Sequence, residues 1–270
     1  MPELPEVEVT RRGLAAQLTG CRVRAVLARV PALRYPLPDR IADRLAGRRL
    51  AGIGRRGKYL LFEFEGGHLL VHLGMSGSLR VVPPDQPVRK HDHVDIMFGD
   101  KVLRFHDPRR FGALLWIDGD PAEHPLLAKL GLEPLSRQFT AAALAEAHAG
   151  RQTAVKPAIM DANIVVGVGN IYASESLHRA GIDPRTPAGR ISALRLERLV
   201  PAIKTTLRAA IRAGGSSLRD YVHSDGGLGD FQLRHRVYGR AGEPCRVCGT
   251  PIRTLRQSNR ATYYCPHCQH

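Results

Sequence analysis

The chain has 270 residues, and its 40 lysines and arginines stand against 25 acidic residues, for a formal charge of +15 and a pI near 10.3. An excess of this size points to a polyanionic partner, nucleic acid first, because phosphate contacts by Arg and Lys release counterions and so drive association. No apolar run reaches the roughly 18 residues of a membrane span, and no basic segment leads into an apolar signal core, so a soluble, cytoplasmic protein with no membrane partner is expected.

The chain opens Met1-Pro2-Glu3-Leu4-Pro5-Glu6. Once Met1 is removed, Pro2 presents a secondary amine with a pKa near ~8, low enough to leave a nucleophilic fraction at neutral pH. Such an amine attacking a sugar carbon forms an iminium, and Glu3 is placed to act as acid or base beside it. The same six residues also read as an ordinary helix start, with proline in the first turn and acids at the positive end of the dipole. The helix is expected over Pro5 to Leu18, stopped by Gly20, with Cys21 after it as a small buried hydrophobe.

From there to about Ile117 the pattern becomes that of strands: Val23 to Leu27, Tyr59 to Phe64, His68 to Leu73, Val94 to Phe98 and Val102 to Phe105. Gly, Pro and Asp turns separate them at the spacing of a β-sandwich, and a short helix is expected near Asp39 to Leu45. Lys58, in Arg55-Arg56-Gly57-Lys58, is one of only 6 lysines in the chain. It can exchange a proton where arginine cannot, although a solvated basic turn would look the same. Met75, in Gly74-Met75-Ser76-Gly77, and Phe111, after Arg109-Arg110, are apolar residues set among glycines and cations. They suit either a core or a wedge in a base stack.

Pro134 and the Ala-rich stretch Thr140 to Ala149, itself expected helical, mark a domain boundary. The glycine-rich Val166-Gly167-Val168-Gly169-Asn170 should enter a helix with its N–H groups aimed at an anion, Asn170 capping the helix or touching the phosphate. Leu196, Leu199, Val200, Ile203, Leu207 and Ile211 recur at helical spacing up to Gly214-Gly215, and Pro201 should kink that helix or mark a second start. Strands followed by helices argue for two domains. At the end of the chain, Cys245-x-x-Cys248 and Cys265-x-x-Cys268 lie 16 residues apart, the spacing of a closed four-thiolate site for one structural zinc ion. Arg253, Arg256 and Arg260 stand between the pairs, so the knuckle presents cations to phosphates.

In order, the segments Pro2 to Glu8, His72 to Gly77, Lys90 to Asp95, Asp107 to Gly112, Val166 to Glu175 and the zinc segment resemble those of the bacterial formamidopyrimidine-DNA glycosylase family (Fpg/MutM), over nearly the whole chain. The resemblance implies an α+β protein: an N-terminal β-sandwich with flanking helices, then a helix-two-turn-helix domain and a four-cysteine zinc finger. Boundaries are expected at 1–133 for the catalytic domain, 134–150 for a hinge, 151–235 for the helical domain and 236–270 for the finger. It implies a bifunctional glycosylase and abasic-site lyase of base excision repair, a monomer acting on double-stranded DNA with an oxidised or ring-opened purine. Pro2 would attack C1′, Glu3 would assist base departure and sugar ring opening, Lys58 the β-elimination and Arg260 the δ-elimination. His91, Arg109, Arg151 and Asn170, with His72 and Tyr238, would contact DNA, and Met75, Arg109 and Phe111 would fill the void left by the flipped base. Ser216 to Phe231 aligns with the loop that covers that base. Arg151 stands where the family commonly has a lysine, which should keep a phosphate contact while altering any lesion-sensing hydrogen bond.

Two rivals remain at this point. Endonuclease VIII shares the scaffold but removes oxidised pyrimidines; Leu4, where that group usually has glycine, and the trio Met75, Arg109 and Phe111 argue against it. A non-catalytic zinc-containing DNA-binding protein would need Pro2 to be a helix start and nothing more.

Overall fold

The structure, a computed structural model, describes residues 2–216 and 229–270. The chain forms two compact units, the first from the residues up to Ala128 with the described part of Ala213–Asp230, the second from Lys129–Arg212 and Phe231–His270. Among the described residues, no helix is long and apolar enough to cross a membrane.

The first unit begins with α1 (Leu4–Leu18), which presents Leu4, Val7, Leu14 and Leu18 to the interior. Two antiparallel four-stranded sheets follow. One has the order β1 (Ala25–Ala28), β6 (Asp92–Phe98), β7 (Lys101–His106), β5 (Ser78–Val82); the other β2 (Leu50–Arg56), β3 (Tyr59–Phe64), β4 (Gly67–His72), β8 (Ala113–Ile117). A short helix, α2 (Ile41–Leu45), lies between β1 and β2. Alternation fixes the inner faces: in β3, Leu60, Phe62 and Phe64 are buried while Tyr59, Leu61 and Glu63 turn outward. Those side chains join Val71, Val94, Ile96, Phe98, Leu103 and Phe105 in one apolar core that also receives Val7, Leu14 and Leu18. This is the expected sandwich with its flanking helix.

Glu8 fastens α1 to β2. Its carboxylate lies 2.9 Å from Arg11, 2.8 Å from Arg12 and 3.0 Å from Arg55. Burial pushes this carboxyl up, but the three guanidiniums outweigh it and bring the pKa down to about 2. A depressed carboxylate contributes stability above its unfolded pKa, about 4.5, that is lost as pH falls towards 2. Glu8→Gln should therefore lower unfolding free energy at pH 7 by about 2 kcal/mol. The gap from wild type should close between pH 4.5 and 2 in thermal melts; equal melting temperatures at pH 7 would refute this.

The first stretch of the first unit ends in α3 (Pro125–Ala128); the second unit has α4 (Ala141–His148), capped by Thr140 Oγ1 accepting the Ala143 N–H at 3.1 Å. The stretch expected to be a hinge thus carries a helix that packs on α7 (Ala193–Arg212). Between them come α5 (Val155–Met160) and α6 (Asn170–Ala180), and the chain ends in the hairpin β9 (Arg253–Gln257) and β10 (Arg260–Tyr264). Pro201 was expected to kink α7 or mark a second start; α7 is one element through it, so no second helix begins there. Proline there forfeits the bond to the Glu197 carbonyl, but Leu196, Leu199, Val200, Ile203 and Leu207 are buried on both sides of it, and packing against α4 and α6 outweighs one bond.

Candidate functional site

Pro2 is buried, and Glu3, 2% exposed, is the N-cap of α1. A reciprocal capping box fixes both acids of the motif: the Glu3 backbone N–H donates to Glu6 Oε2 at 2.8 Å, while the Glu3 side chain accepts from the Glu6 backbone. Glu6 has a second task. Its Oε1 accepts the Ser216 N–H at 2.8 Å, and Gly215, at φ +80°, comes so close that a Cβ there would lie 2.9 Å from Oε1. One carboxylate therefore holds the start of α1 and the backbone leading into the expected loop. The interior of that loop, 217–228, including Gly226-Gly227-Leu228, lies outside the described residues.

Lys58 sits at the β2–β3 turn, where Gly57 takes φ +56°. The next residue, Tyr59, pairs with His72 across β3 and β4, their rings 4.8 Å apart. Burial, then the charges of Lys58 and Arg34, lowers the His72 pKa to about 4. His72 Nδ1 accepts the Gly74 N–H at 3.0 Å, which places the proton on Nε2. At neutral pH His72 is thus an uncharged N–H donor.

Met75 and Phe111 are 40% and 44% exposed, unusual for such side chains, and with Arg34, His72 and Gly74 they line a depression of about 440 Å³. Asp107 builds it. This buried carboxylate accepts from Ser76 Oγ at 3.0 Å on one loop and from the Gly112 N–H at 2.8 Å on the other. The loops touch backbone to backbone: Gly74 is at φ +64°, and a Cβ on it would lie 2.5 Å from Gly112 N. Arg109, exposed, stacks its guanidinium 4.9 Å from the Phe111 ring centroid. His91, half-buried, precedes β6 with a φ of +74°. Two apolar tips with a cation beside them are thereby held outward on a rigid base.

In the second unit Asn170 neither caps α6, whose N-cap is Gly169, nor turns wholly outward. Its Oδ1 accepts from Lys156 Nζ at 2.5 Å and its Nδ2 donates to the Ala261 carbonyl at 3.0 Å. Lys156, 1% exposed, also donates to Thr262 Oγ1 at 2.8 Å and to the Ala261 carbonyl at 3.2 Å. The start of α6 is in this way bonded to the residue following Arg260. Arg260 itself is exposed at the head of β10, after a turn in which Ser258 and Asn259 take φ +46° and +59°. Buried Glu175 accepts the N–H groups of Arg236, Val237 and Tyr238 at 2.9, 3.0 and 2.9 Å, and the Tyr238 ring lies 5.0 Å from that of Tyr263 in the hairpin. Arg151 is exposed beyond α4, its Nε donating to the Ala147 carbonyl at 2.7 Å.

The sulfurs of Cys245, Cys248, Cys265 and Cys268 all lie within 4.8 Å of one another. Cys248 and Cys265 are 3.5 Å apart and Cys245 and Cys268 4.0 Å, against about 3.8 Å for the edge of a zinc–thiolate tetrahedron. The donor set fits one zinc ion and leaves no position for a reactive water, so the ion is structural. Val237 and Ile252 pack with these cysteines as a small core, and His178 Nε2 lies 3.5 Å from Cys245 Sγ.

Glu6, Asp107, Lys156 and Glu175 were not singled out from the sequence. Their signal was weak: an acid or lysine inside an apolar or glycine-rich run, whose partners lie far along the chain.

Three family models match: formamidopyrimidine-DNA glycosylase N-terminal domain over residues 1–114, formamidopyrimidine-DNA glycosylase H2TH domain over 130–222, and the zinc finger found in FPG and IleRS over 242–270. The formamidopyrimidine-DNA glycosylase of Paraburkholderia phymatum is 58% identical, covering 100% of both chains. A variant FPG of Lactococcus lactis in complex with Fapy-dG DNA superimposes with a TM-score of 0.93 at 34% identity, covering 100% of both chains. MutM in complex with DNA containing carbocyclic 8-oxo-G gives a TM-score of 0.91 at 35% identity, again over 100% of both.

Proposed function

The chain belongs to the formamidopyrimidine-DNA glycosylase family, and from that premise we propose that it is a DNA glycosylase and abasic-site lyase that removes 8-oxoguanine and ring-opened purines from duplex DNA. The observation that carries the reading is the outward pair Met75 and Phe111 on its Asp107-pinned base. Extruding a nucleotide costs a few kcal/mol, and two apolar tips beside Arg109 are suited to occupy the gap.

The chemistry follows from Pro2. After Met1 has gone, the Pro2 nitrogen attacks C1′ and gives up its proton as the bond from C1′ to the base breaks and the base is protonated; the C1′–O4′ bond then breaks, O4′ taking a proton, to leave the iminium, with Glu3 as the acid that assists both departures. The resulting iminium acidifies C2′. Loss of that proton, with Lys58 assisting, expels the 3′ phosphate; a second elimination, with Arg260 assisting, expels the 5′ phosphate and leaves a one-nucleotide gap. His72, His91, Arg109, Arg151, Asn170 and Tyr238 are assigned to DNA contacts. Neutral His72 would donate Nε2–H to a phosphate oxygen, and exposed Arg109 and Arg151 would add charge-assisted bonds. The division of labour is assigned to 1–133 for catalysis, 134–150 for the hinge, 151–235 for helical DNA binding and 236–270 for the finger. The cytoplasm is its assigned place of work, and a monomer its assigned state.

Excision from duplexes with 8-oxoguanine opposite cytosine should exceed excision from thymine glycol duplexes by at least about tenfold, a difference of ~1.4 kcal/mol in the barrier. A preference for the pyrimidine would replace this reading with that of an endonuclease VIII.

A further inference from the structure

Three histidine rings meet at the start of β6 and the end of β7. The ring of His91 lies 6.1 Å from that of His93 at 69° and 6.1 Å from that of His106 at 76°, both edge-to-face. The two neighbours are themselves tied down. His93, buried on β6, has its Nε2 2.9 Å from the Asp107 carbonyl; that oxygen only accepts, so Nε2 carries the proton. His106, at the end of β7, has its Nδ1 2.8 Å from Asp92 Oδ1, across the register pair formed by the two residues. Asp92 is 3% exposed and over-determined: it also accepts the Arg89 N–H at 2.8 Å and lies 3.7 Å from the guanidiniums of both Arg80 and Arg104. His91, by contrast, is half-buried at a left-handed φ, and no hydrogen bond to its ring is seen among the described residues. Its carbonyl accepts the Asp107 N–H at 3.0 Å, which fixes its backbone but not the plane of its ring.

We propose that His106, anchored by the buried Asp92 carboxylate, is a positioning residue for His91, setting the plane of the His91 imidazole so that its N–H meets a DNA phosphate. The inference rests on the reading of His91 as a DNA contact. An imidazole free to rotate about its Cβ bond offers its donor in many directions, of which one serves the phosphate. Two neighbouring rings, inclined at 69° and 76° to it, restrict that freedom.

The test is a double-mutant cycle on the full chain with a duplex bearing a tetrahydrofuran abasic-site analogue, read by fluorescence anisotropy. His106→Asn retains an N–H for Asp92, so the buried carboxylate keeps its donor, but removes the ring that faces His91. It should weaken binding about three- to tenfold in the wild-type background and leave it unchanged in a His91→Ala background. An equal loss in both backgrounds, or no loss where His91→Ala alone weakens binding, overturns the proposal. Unchanged binding by His91→Ala removes the DNA-contact reading of His91 and the proposal with it. Matched melting temperatures of His106→Asn and wild type accompany the expected result, since a merely structural role would lower the one and give no coupling.

Discussion

Borohydride added to a reaction between the processed protein and an 8-oxoguanine duplex traps a covalent protein–DNA adduct, and the adduct vanishes in Pro2→Gly and in a chain that retains Met1. Hydride reduces the iminium between Pro2 and C1′ to a stable amine, so the adduct reports the intermediate directly. Retaining Met1 converts the Pro2 nitrogen to an amide, which has no basic lone pair, and the yield should drop by roughly 10³-fold or more. Pro2→Gly keeps an amine but gives up the secondary nitrogen, whose iminium needs no further protonation, and the restricted φ that aims it. The position of that nitrogen is set by its neighbours: Glu3 is locked by the capping box with Glu6, and Glu6 is locked in turn by Ser216. DNA binding by each variant should stay near wild type, because neither change touches a phosphate contact. An undiminished adduct with Met1 in place, or no adduct from the wild type on a confirmed lesion, would sink the imine mechanism.

The second large effect is expected at the zinc site. Cys248→Ser, or removal of the metal with a chelator, should weaken duplex binding by roughly 100-fold or more. Structural zinc supplies ~10–16 kcal/mol of folding free energy in comparable small modules. Without it, Val237 and Ile252, the other buried residues of that small core among the described residues, cannot hold the hairpin. The consequence reaches beyond the finger. Arg260 loses its fixed place on β10, Lys156 loses Thr262 Oγ1 and the Ala261 carbonyl, and Asn170 loses the same carbonyl. A buried ammonium that loses two of its acceptors is destabilised, so the start of α6 is disturbed together with the hairpin. Full-strength binding by metal-free protein would overturn this account.

The elements differed in how far they could be read from the residues. β3 was legible to the residue at both ends, Tyr59–Phe64, because its burial alternates and turns bound it. β2, over Leu50–Arg56, was missed: Gly52, Gly54, Arg55 and Arg56 dilute the pattern, and only Leu50 and Ile53 are buried. β5 and β8 were missed for a related reason, since the chemistry-bearing motifs beside them, Gly74 to Gly77 and Asp107 to Gly112, read as loops and drew the boundaries outward. The helix over Leu196 to Ile211 was legible, whereas the choice at Pro201 between one helix and a second start was not, because the outcome depends on the partners that bury its apolar face.

What the sequence by itself determined are the properties carried by near neighbours in the chain. These are the zinc ligands in two Cys-x-x-Cys pairs, the proline one residue from the start, the basic excess and the alternating strands. Each depends on spacing over a few residues or on a sum over all of them, and neither requires knowledge of the fold. Tertiary structure alone decided what stands behind the functional side chains. Asp107 meets Ser76 across 31 residues, Glu175 meets Tyr238 across 63, Lys156 meets Thr262 across 106 and Glu6 meets Ser216 across 210. In each case a buried charged group needs partners to offset its desolvation, and only the folded chain brings those partners within hydrogen-bonding distance.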